Sequence, residues 1–224
     1  MFEILFLLLS LEPNKIGLTF DDGPTKESHK LIELLYQENV SAMFFPAAIR
    51  LEYDKDFAAK AIFMNHEFGN HTYSHAELPY LTREKSILEI MKAQNIFLKN
   101  KIKPHWFRFP SGKKDKRIYS ILKQNEYFGI ADWDVFSGDI SGDTTEKMTK
   151  KVMRHAKNQK ITIVLYHDCK FGVTKNVIHL LNSVKNYNKN VNILNKEEKL
   201  IIFEKPSTLF PRREDGHFFN RYSL

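Results

Sequence analysis

The sequence is poor in cysteine and contains no long apolar run. A single cysteine, Cys169, among 224 residues excludes an intramolecular disulfide framework. No apolar stretch reaches the ~20 residues that a membrane-spanning helix needs, so we expect no transmembrane helix. The chain has no internal repeat and no helix-turn-helix, RNP-type or zinc-finger pattern. We therefore expect no nucleic-acid partner and attribute the net charge of +7 mainly to a solvated, lysine-rich surface.

What the chain does contain is sufficient for one sizeable core. Hydrophobic residues make up 42% and charged residues 27% of the sequence, which is ordinary for a single globular domain. We predict a domain over residues 15–205, preceded by an apolar segment, 1–14, and followed by a tail, 206–224. The apolar segment resembles the middle of an export signal but lacks its basic residues and cleavage site. A degenerate signal and a buried first strand or short anchor both stay open.

Short apolar stretches alternate with longer amphipathic ones, which predicts a layered or barrel-like β/α fold. The stretch KIGLTF (15–20) predicts a strand, KESHKLIELLYQEN (26–39) a helix and VSAMFF (40–45) a second strand. Further along the chain, YFGIADWDVF (127–136) predicts one strand and KITIVLYHD (160–168) predicts a buried one. Polar residues at the ends of such strands are the expected place for a functional site.

Two adjacent carboxylates, Asp21 and Asp22, follow the first strand in LTFDDGP. Like charges side by side disfavour ionisation, and the same residues would also suit a plain turn. The alternative is a divided task, in which one carboxylate holds a metal ion and the other handles a proton. The stretch HTYSH places His71 and His75 at a spacing that can direct two imidazoles to one ion. Asp22 is the natural third ligand, which leaves an open position for water.

Five segments together resemble the polysaccharide deacetylase family, the NodB-homology domain of carbohydrate esterase family four. They are TFDDGP (19–24), HTYSH (71–75), RFPSG (108–112), WDVFSGDI (133–140) and VLYHD (164–168). The resemblance implies an α/β fold of the distorted (β/α) barrel type and metal-dependent hydrolysis of an N-acetyl, or less often O-acetyl, group on a sugar. The implied substrate is an amino-sugar polymer or oligomer such as peptidoglycan or chitooligosaccharide, and the implied metal is zinc, with cobalt or another divalent ion as alternatives. An envelope, periplasmic or secreted location is favoured, while the incomplete signal leaves a cytoplasmic one open.

The resemblance also implies roles for individual residues. Asp21 would be the base, Arg108 would orient it by a charge-assisted hydrogen bond, and His167 would be the acid that protonates the departing amine. The metal ligands would be Asp22, His71 and His75. Ser111 stands where an aromatic residue is usual, and its backbone N–H would help to stabilise the oxyanion.

Other residues near these motifs have simpler predictions. Leu165 would line the pocket for the acetyl methyl group, although core packing explains it equally well. We predict packing roles for Trp133 and Cys169.

The fourth motif departs from the family pattern in a way that bears on His167. Phe136 replaces its first Asp and Ile140 replaces its Trp, while Asp139 matches its second Asp. Asp134 lies two residues before Phe136 and so on the same face of a strand. We therefore predict that Asp134 replaces the missing carboxylate and supports His167.

These departures leave two other functions open. The chain could be a degenerate family member that binds a glycan or metal without turnover. It could instead hydrolyse a non-carbohydrate amide or a formyl sugar, because the implied catalytic residues act on the amide and do not read the sugar. The sequence does not indicate an oligomeric state.

Overall fold

The computed structural model describes residues 12–191 and 198–210. Its strands are β1 Asn14–Asp21, β2 Ala42–Phe45, β3 Glu67–Phe68, β4 Trp106–Phe107, β5 Gly129–Ile130, β6 Val135–Phe136, β7 Ile161–His167 and β8 Ile201–Phe203. Its α-helices are α1 Lys26–Gln37, α2 Ala48–Tyr53, α3 Lys55–Phe63, α4 Arg83–Lys99, α5 Tyr119–Gln124, α6 Thr145–Asn158, α7 Val173–Asn190 and α8 Pro206–Leu209. Short 3-10 helices cover Leu78–Tyr80, Pro110–Gly112 and Lys116–Ile118.

Strand β1 is the centre of a parallel sheet. It pairs with β7 along one edge, while β2 and β8 share its other edge. β3 extends the sheet beyond β2, and β6 extends it beyond β7. β4 and β5 form a second parallel pair, linked to the region after β3 by a bridge between Asn70 and Phe107. The predicted α/β architecture is confirmed, and within the described ranges no strand pairing joins β5 to β6.

The alternation of side chains along β1 explains how the sheet separates its core from its site. Ile16, Leu18 and Phe20 are fully buried in the large apolar cluster that includes residues of α1, α6 and α7. Because successive side chains of a strand point to opposite faces, Thr19 and Asp21 lie on the other face of β1, where both contact Arg108. The strand therefore places a carboxylate inside the fold at its carboxyl end.

The prediction of a single strand over 127–136 is wrong. The segment contains β5 and β6, which belong to different sheets, and residues 131–134 cross between them. Arg108 binds this crossing, since its Nε donates to the carbonyl oxygen of Ala131 at 2.6 Å. The interruption thus provides an acceptor for a buried guanidinium.

The last described residues belong to the packed fold, although we predicted a tail from residue 206. Leu209 and Phe210 are 6% and 4% exposed and pack in an apolar cluster with Trp106. The fold therefore extends at least to Phe210. Residues 1–11 of the predicted apolar segment and 211–224 of the predicted tail lie outside the described residues. In the parts of the chain that are described, no helix combines the length and the apolar character needed to cross a membrane.

Candidate metal centre and active site

The polar residues singled out in the sequence meet at the carboxyl ends of the strands. Asp21 and His167 are the last residues of β1 and β7, and they lie side by side in the strand register. A cavity of about 300 Å³ opens between them and the loops after β3, β4, β5 and β6. Its lining includes the predicted residues Asp21, Asp22, His71, His75, Ser111, Leu165 and His167. The topology thus brings together motifs that are up to about 150 positions apart in the sequence.

Asp21 and Arg108 form a buried ion pair. Arg108 Nη1 lies 2.7 Å from Asp21 Oδ1, and the two side chains are 0% and 5% exposed. The same nitrogen donates to Thr19 Oγ1 at 2.9 Å, while the guanidinium carbon lies 4.1 Å from the centroid of the Phe45 ring. Burial raises the pKa of Asp21, and the charge of Arg108 opposes that rise. Arg108 therefore favours the ionised carboxylate that a base requires and fixes its orientation.

Asp22, His71 and His75 form a cluster with the geometry of a metal centre. Their ligand atoms all lie within 4.8 Å of one another. Asp22 Oδ1 is 3.6 Å from His71 Nε2 and 3.3 Å from His75 Nε2. This oxygen is buried and has no hydrogen-bond partner among the described residues. Two imidazoles and one carboxylate suit a divalent ion such as zinc, and the orphaned oxygen is consistent with a cation there.

His71 is prepared for such a ligand role. Its Nδ1 lies 2.8 Å from the backbone oxygen of Arg108 and donates to it, so Nε2 carries the free lone pair. Burial and the neighbouring His75 lower the pKa of His71 from its ordinary 6.5 to about 3. The ring is therefore neutral at physiological pH, and neutral imidazole is the form that binds metals.

The turn that carries Asp22 is held by the residue after His167. Asp22 has a φ of 76°, a region that costs non-glycine residues energy. Gly23 N–H donates to Asp168 Oδ1 at 2.8 Å, and a Cβ on Gly23 would lie only 1.9 Å from Asp168 Oδ2. Burial raises the pKa of Asp168 to about 7. A side chain at position 23 would displace the Asp168 carboxylate, so this turn favours glycine where it meets the end of β7.

The carboxylate partner of His167 is Asp139. His167 Nδ1 lies 3.1 Å from Asp139 Oδ1, and the backbone N–H of His167 donates to Asp139 Oδ2 at 2.6 Å. Burial lowers the pKa of His167, but the hydrogen bond and charge of Asp139 outweigh it and raise the pKa above 6.5. A φ of 100° at Gly138 turns the chain directly before Asp139.

The prediction that Asp134 supports His167 is therefore wrong. The carboxylate of Asp134 accepts from the backbone N–H of Ile163 at 2.8 Å. Ile163 precedes His167 by four residues on β7, a separation of about 13 Å at the usual rise of a strand. Asp134 precedes β6 and does not line the cavity that contains His167, so strand alternation did not place it. Asp139 matches the second Asp of the fourth family motif, and this match could have identified it as the partner of His167.

The remaining wall of the cavity is mainly apolar. Leu165 is 3% exposed and lines the cavity, while the Phe136 ring lies perpendicular to the His167 ring at a centroid distance of 6.0 Å. Ser111 lines the mouth with a φ of 55°. Trp133, for which we predicted a packing role, also lines the cavity.

Cys169 lies beside the metal cluster. Its Sγ is 3.9 Å from Asp22 Oδ2, and burial raises the pKa of the thiol to about 11. The thiol is therefore protonated at neutral pH, in keeping with a packing role.

Two characterised relatives are similar to this chain over most of its length. The peptidoglycan-N-acetylglucosamine deacetylase of Bacillus cereus is 31% identical over 144 residues, which are 62% of this chain and 51% of that protein. Chitin deacetylase 2 of Saccharomyces cerevisiae is 29% identical over 167 residues, which are 69% of this chain and 50% of the yeast protein. The chain thus spans about half the length of these curated relatives.

The fold of this chain is similar to that of a solved structure. A family 4 carbohydrate esterase from Streptomyces lividans, solved in complex with acetate, superimposes with a TM-score of 0.72. The match covers 87% of this chain and 100% of the esterase at 19% identity. The sequence model described as "Polysaccharide deacetylase" matches residues 10–130, more than half of the chain. The chain therefore belongs to the polysaccharide deacetylase family, as its five motifs predicted.

Proposed function

We propose that the protein is a metal-dependent hydrolase that removes N-acetyl groups from an amino-sugar polymer or oligomer, such as peptidoglycan or a chitooligosaccharide. One observation carries this proposal: an oriented carboxylate, a two-histidine and one-carboxylate metal cluster, and a carboxylate-supported histidine face one cavity. A hydrolysis of an amide needs a base, an electrophilic centre and an acid. The names of the relatives support an N-acetylated sugar as the substrate.

Asp22, His71 and His75 would hold the divalent ion, for which we propose zinc. When bound, such an ion polarises the acetamide carbonyl and lowers the pKa of a water from 15.7 to about 7. Cobalt and other divalent ions suit the same donors and are alternatives.

Asp21 is the proposed base. Its Oδ1 is occupied by Arg108, so Oδ2 remains to take a proton from the attacking water. Oδ2 lies 3.7 Å from His71 Nε2 and hence beside the metal cluster. Asp21 would therefore lie beside a water that the ion held, where its carboxylate could accept the proton.

His167 is the proposed acid. With Nδ1 directed to Asp139, its Nε2 is left to donate a proton to the nitrogen of the departing amine. Phe136, which faces the ring, restricts the access of water to this side of the cavity. The raised pKa of His167 increases the fraction of imidazolium that can act as an acid near neutral pH.

The other residues of the cavity have proposed roles in substrate binding. The backbone N–H of Ser111 would donate to the developing oxyanion. Leu165 would contact the methyl group of the acetyl moiety. Both line the same cavity as Asp21 and His167.

The test combines metal binding with acetate release. We expect purified protein to bind one zinc or cobalt ion and to release acetate from chitooligosaccharides or peptidoglycan fragments. Asp21→Asn should reduce turnover by at least about 10²-fold, the lower range for a general base, and keep the metal. His71→Ala and His75→Ala should lose both the metal and turnover.

One control variant and two contrary results complete this test. Asp56→Asn removes an exposed carboxylate of α3 and should change neither property. A metal-loaded protein that binds these oligosaccharides but releases no acetate would instead be a glycan-binding member of the family. Release of formate, or of an acyl group from a non-carbohydrate amide only, would refute the proposed substrate class.

A further inference from the structure

The loop that joins the two proposed histidine ligands is bound by a carboxylate outside the cavity. Glu89, on α4, accepts hydrogen bonds from the backbone N–H groups of Tyr73 and Ser74 at 3.1 and 2.9 Å, both at Oε2. Its Oε1 accepts from the Ser74 hydroxyl at 3.0 Å. One side chain thus satisfies three donors within the sequence HTYSH.

This loop needs such support because its backbone is strained. Thr72 and His75 have φ angles of 67° and 62°, in the left-handed region that non-glycine residues occupy at a cost. Strained conformations persist where surrounding contacts over-determine them. The contacts of Glu89 fall on the two residues that lie between Thr72 and His75.

The two histidines differ in how firmly they are held. His71 is 2% exposed in its side chain and donates to the backbone of Arg108. The His75 side chain is 36% exposed. Its ring contacts the His71 ring, at 5.0 Å between centroids, and its Nε2 lies 3.3 Å from Asp22 Oδ1, so both contacts are with other members of the proposed metal cluster. The direction of the His75 side chain therefore depends on the backbone that carries it.

We propose that Glu89 is a positioning residue for the metal centre, which orients His75 through the backbone of Tyr73 and Ser74. This inference rests on the proposed metal site. Glu89 is not among the residues that line the cavity, so it acts through the loop. By fixing the backbone before His75, Glu89 reduces the conformational entropy that the histidine loses when it binds an ion.

The test measures metal affinity in the absence of any substrate. Titration calorimetry with zinc on the metal-free protein should show that Glu89→Ala raises the Kd by about tenfold, the lower range for loss of a partner outside the ligand set. The visible absorption spectrum of the cobalt-loaded variant should also change, because the ligand geometry relaxes. Glu89 is half-buried on the surface of α4, so we expect the variant to fold.

Two matched variants separate positioning from charge. Glu89→Gln keeps an oxygen that can accept from both backbone N–H groups, and it should retain most of the wild-type affinity. Glu33→Ala removes one negative charge from the exposed face of α1 and should leave the Kd unchanged. Thermal unfolding of the metal-free variants shows whether each is folded at the temperature of the titration.

Each result of these titrations supports or refutes the positioning role of Glu89. If the wild type binds zinc and Glu89→Ala binds it equally well, the positioning role is refuted and the metal centre stands. If Glu89→Gln weakens binding as much as Glu89→Ala, the effect is one of charge and the proposal is also refuted. A wild-type protein that binds no zinc or cobalt overturns the proposed centre and this inference together.

Discussion

The buried pair of Asp21 and Arg108 allows a quantitative prediction about Arg108→Met. Methionine keeps much of the length of the side chain but removes the charge that lies 2.7 Å from Asp21 Oδ1. The carboxylate remains 5% exposed and loses its cation. Breaking a buried ion pair by removing one partner costs about 3–5 kcal/mol, a large share of the roughly 5–15 kcal/mol that stabilises a typical domain.

The loss in free energy of unfolding caused by Arg108→Met should increase with pH. Burial already raises the pKa of Asp21 above 3.8, and Arg108 is the main influence against that rise. Without Arg108 the pKa of the folded state rises further, while that of the unfolded state stays near its ordinary value. The folded state then holds a proton that the unfolded state has released, so the free energy of unfolding falls as the pH rises toward the folded pKa. The deficit of the variant should be larger at pH 8 than at pH 5.

Urea unfolding of metal-free protein, followed by fluorescence of Trp106 and Trp133, measures this deficit at both pH values. The double variant Arg108→Met with Asp21→Asn is the matched control, because it removes both charges of the pair. It should be more stable than Arg108→Met alone at pH 8, and the double-mutant cycle gives the coupling energy. A deficit below about 1 kcal/mol, the value of an exposed pair, would refute the reasoning. So would a double variant that is no more stable than the single one.

Two further variants test the contacts around the cavity. Asp139→Asn should lower the pKa of His167 in an NMR titration of the metal-free protein, because the Asp139 hydrogen bond raises that pKa against the effect of burial. Asp134→Asn should leave the pKa unchanged, and an equal fall in both variants would contradict the assigned pairing. Gly23→Ala should reduce the free energy of unfolding by about 1–3 kcal/mol, since its Cβ would lie 1.9 Å from Asp168 Oδ2. If the Gly23→Ala variant had the melting temperature of the wild type, the turn would accommodate the added Cβ without loss of stability, and the reasoning would be refuted.

The histidine pair of the proposed metal cluster was predictable because its two members are close in the sequence. His71 and His75 belong to one loop, and Asp22 directly follows a strand that the apolar pattern reveals. Local spacing is enough to place two ligands on one ion. The family motifs then linked these residues to Arg108 and His167, and the structure brings all five to one cavity or its immediate border.

The pairing of His167 was not predictable from side-chain periodicity. Alternation along a strand predicts only the face that a side chain takes, and it carries no information about the height of β6 beside β7. The register places Val135 beside Val164, which leaves Asp134 near the start of β7. Asp139 reaches His167 only because the chain turns at Gly138.

The sequence by itself determined the family through the resemblance of its five motifs, and it determined the β/α order through apolar periodicity and the histidine pair through local spacing. Tertiary structure alone decided three features: the break between β5 and β6, the choice of Asp139 over Asp134, and the contact of Glu89 with the loop before His75. Each depends on the distance between residues that are well separated in the chain. Such distances are set by strand register and by the paths of loops, and neither leaves a periodic trace in the sequence.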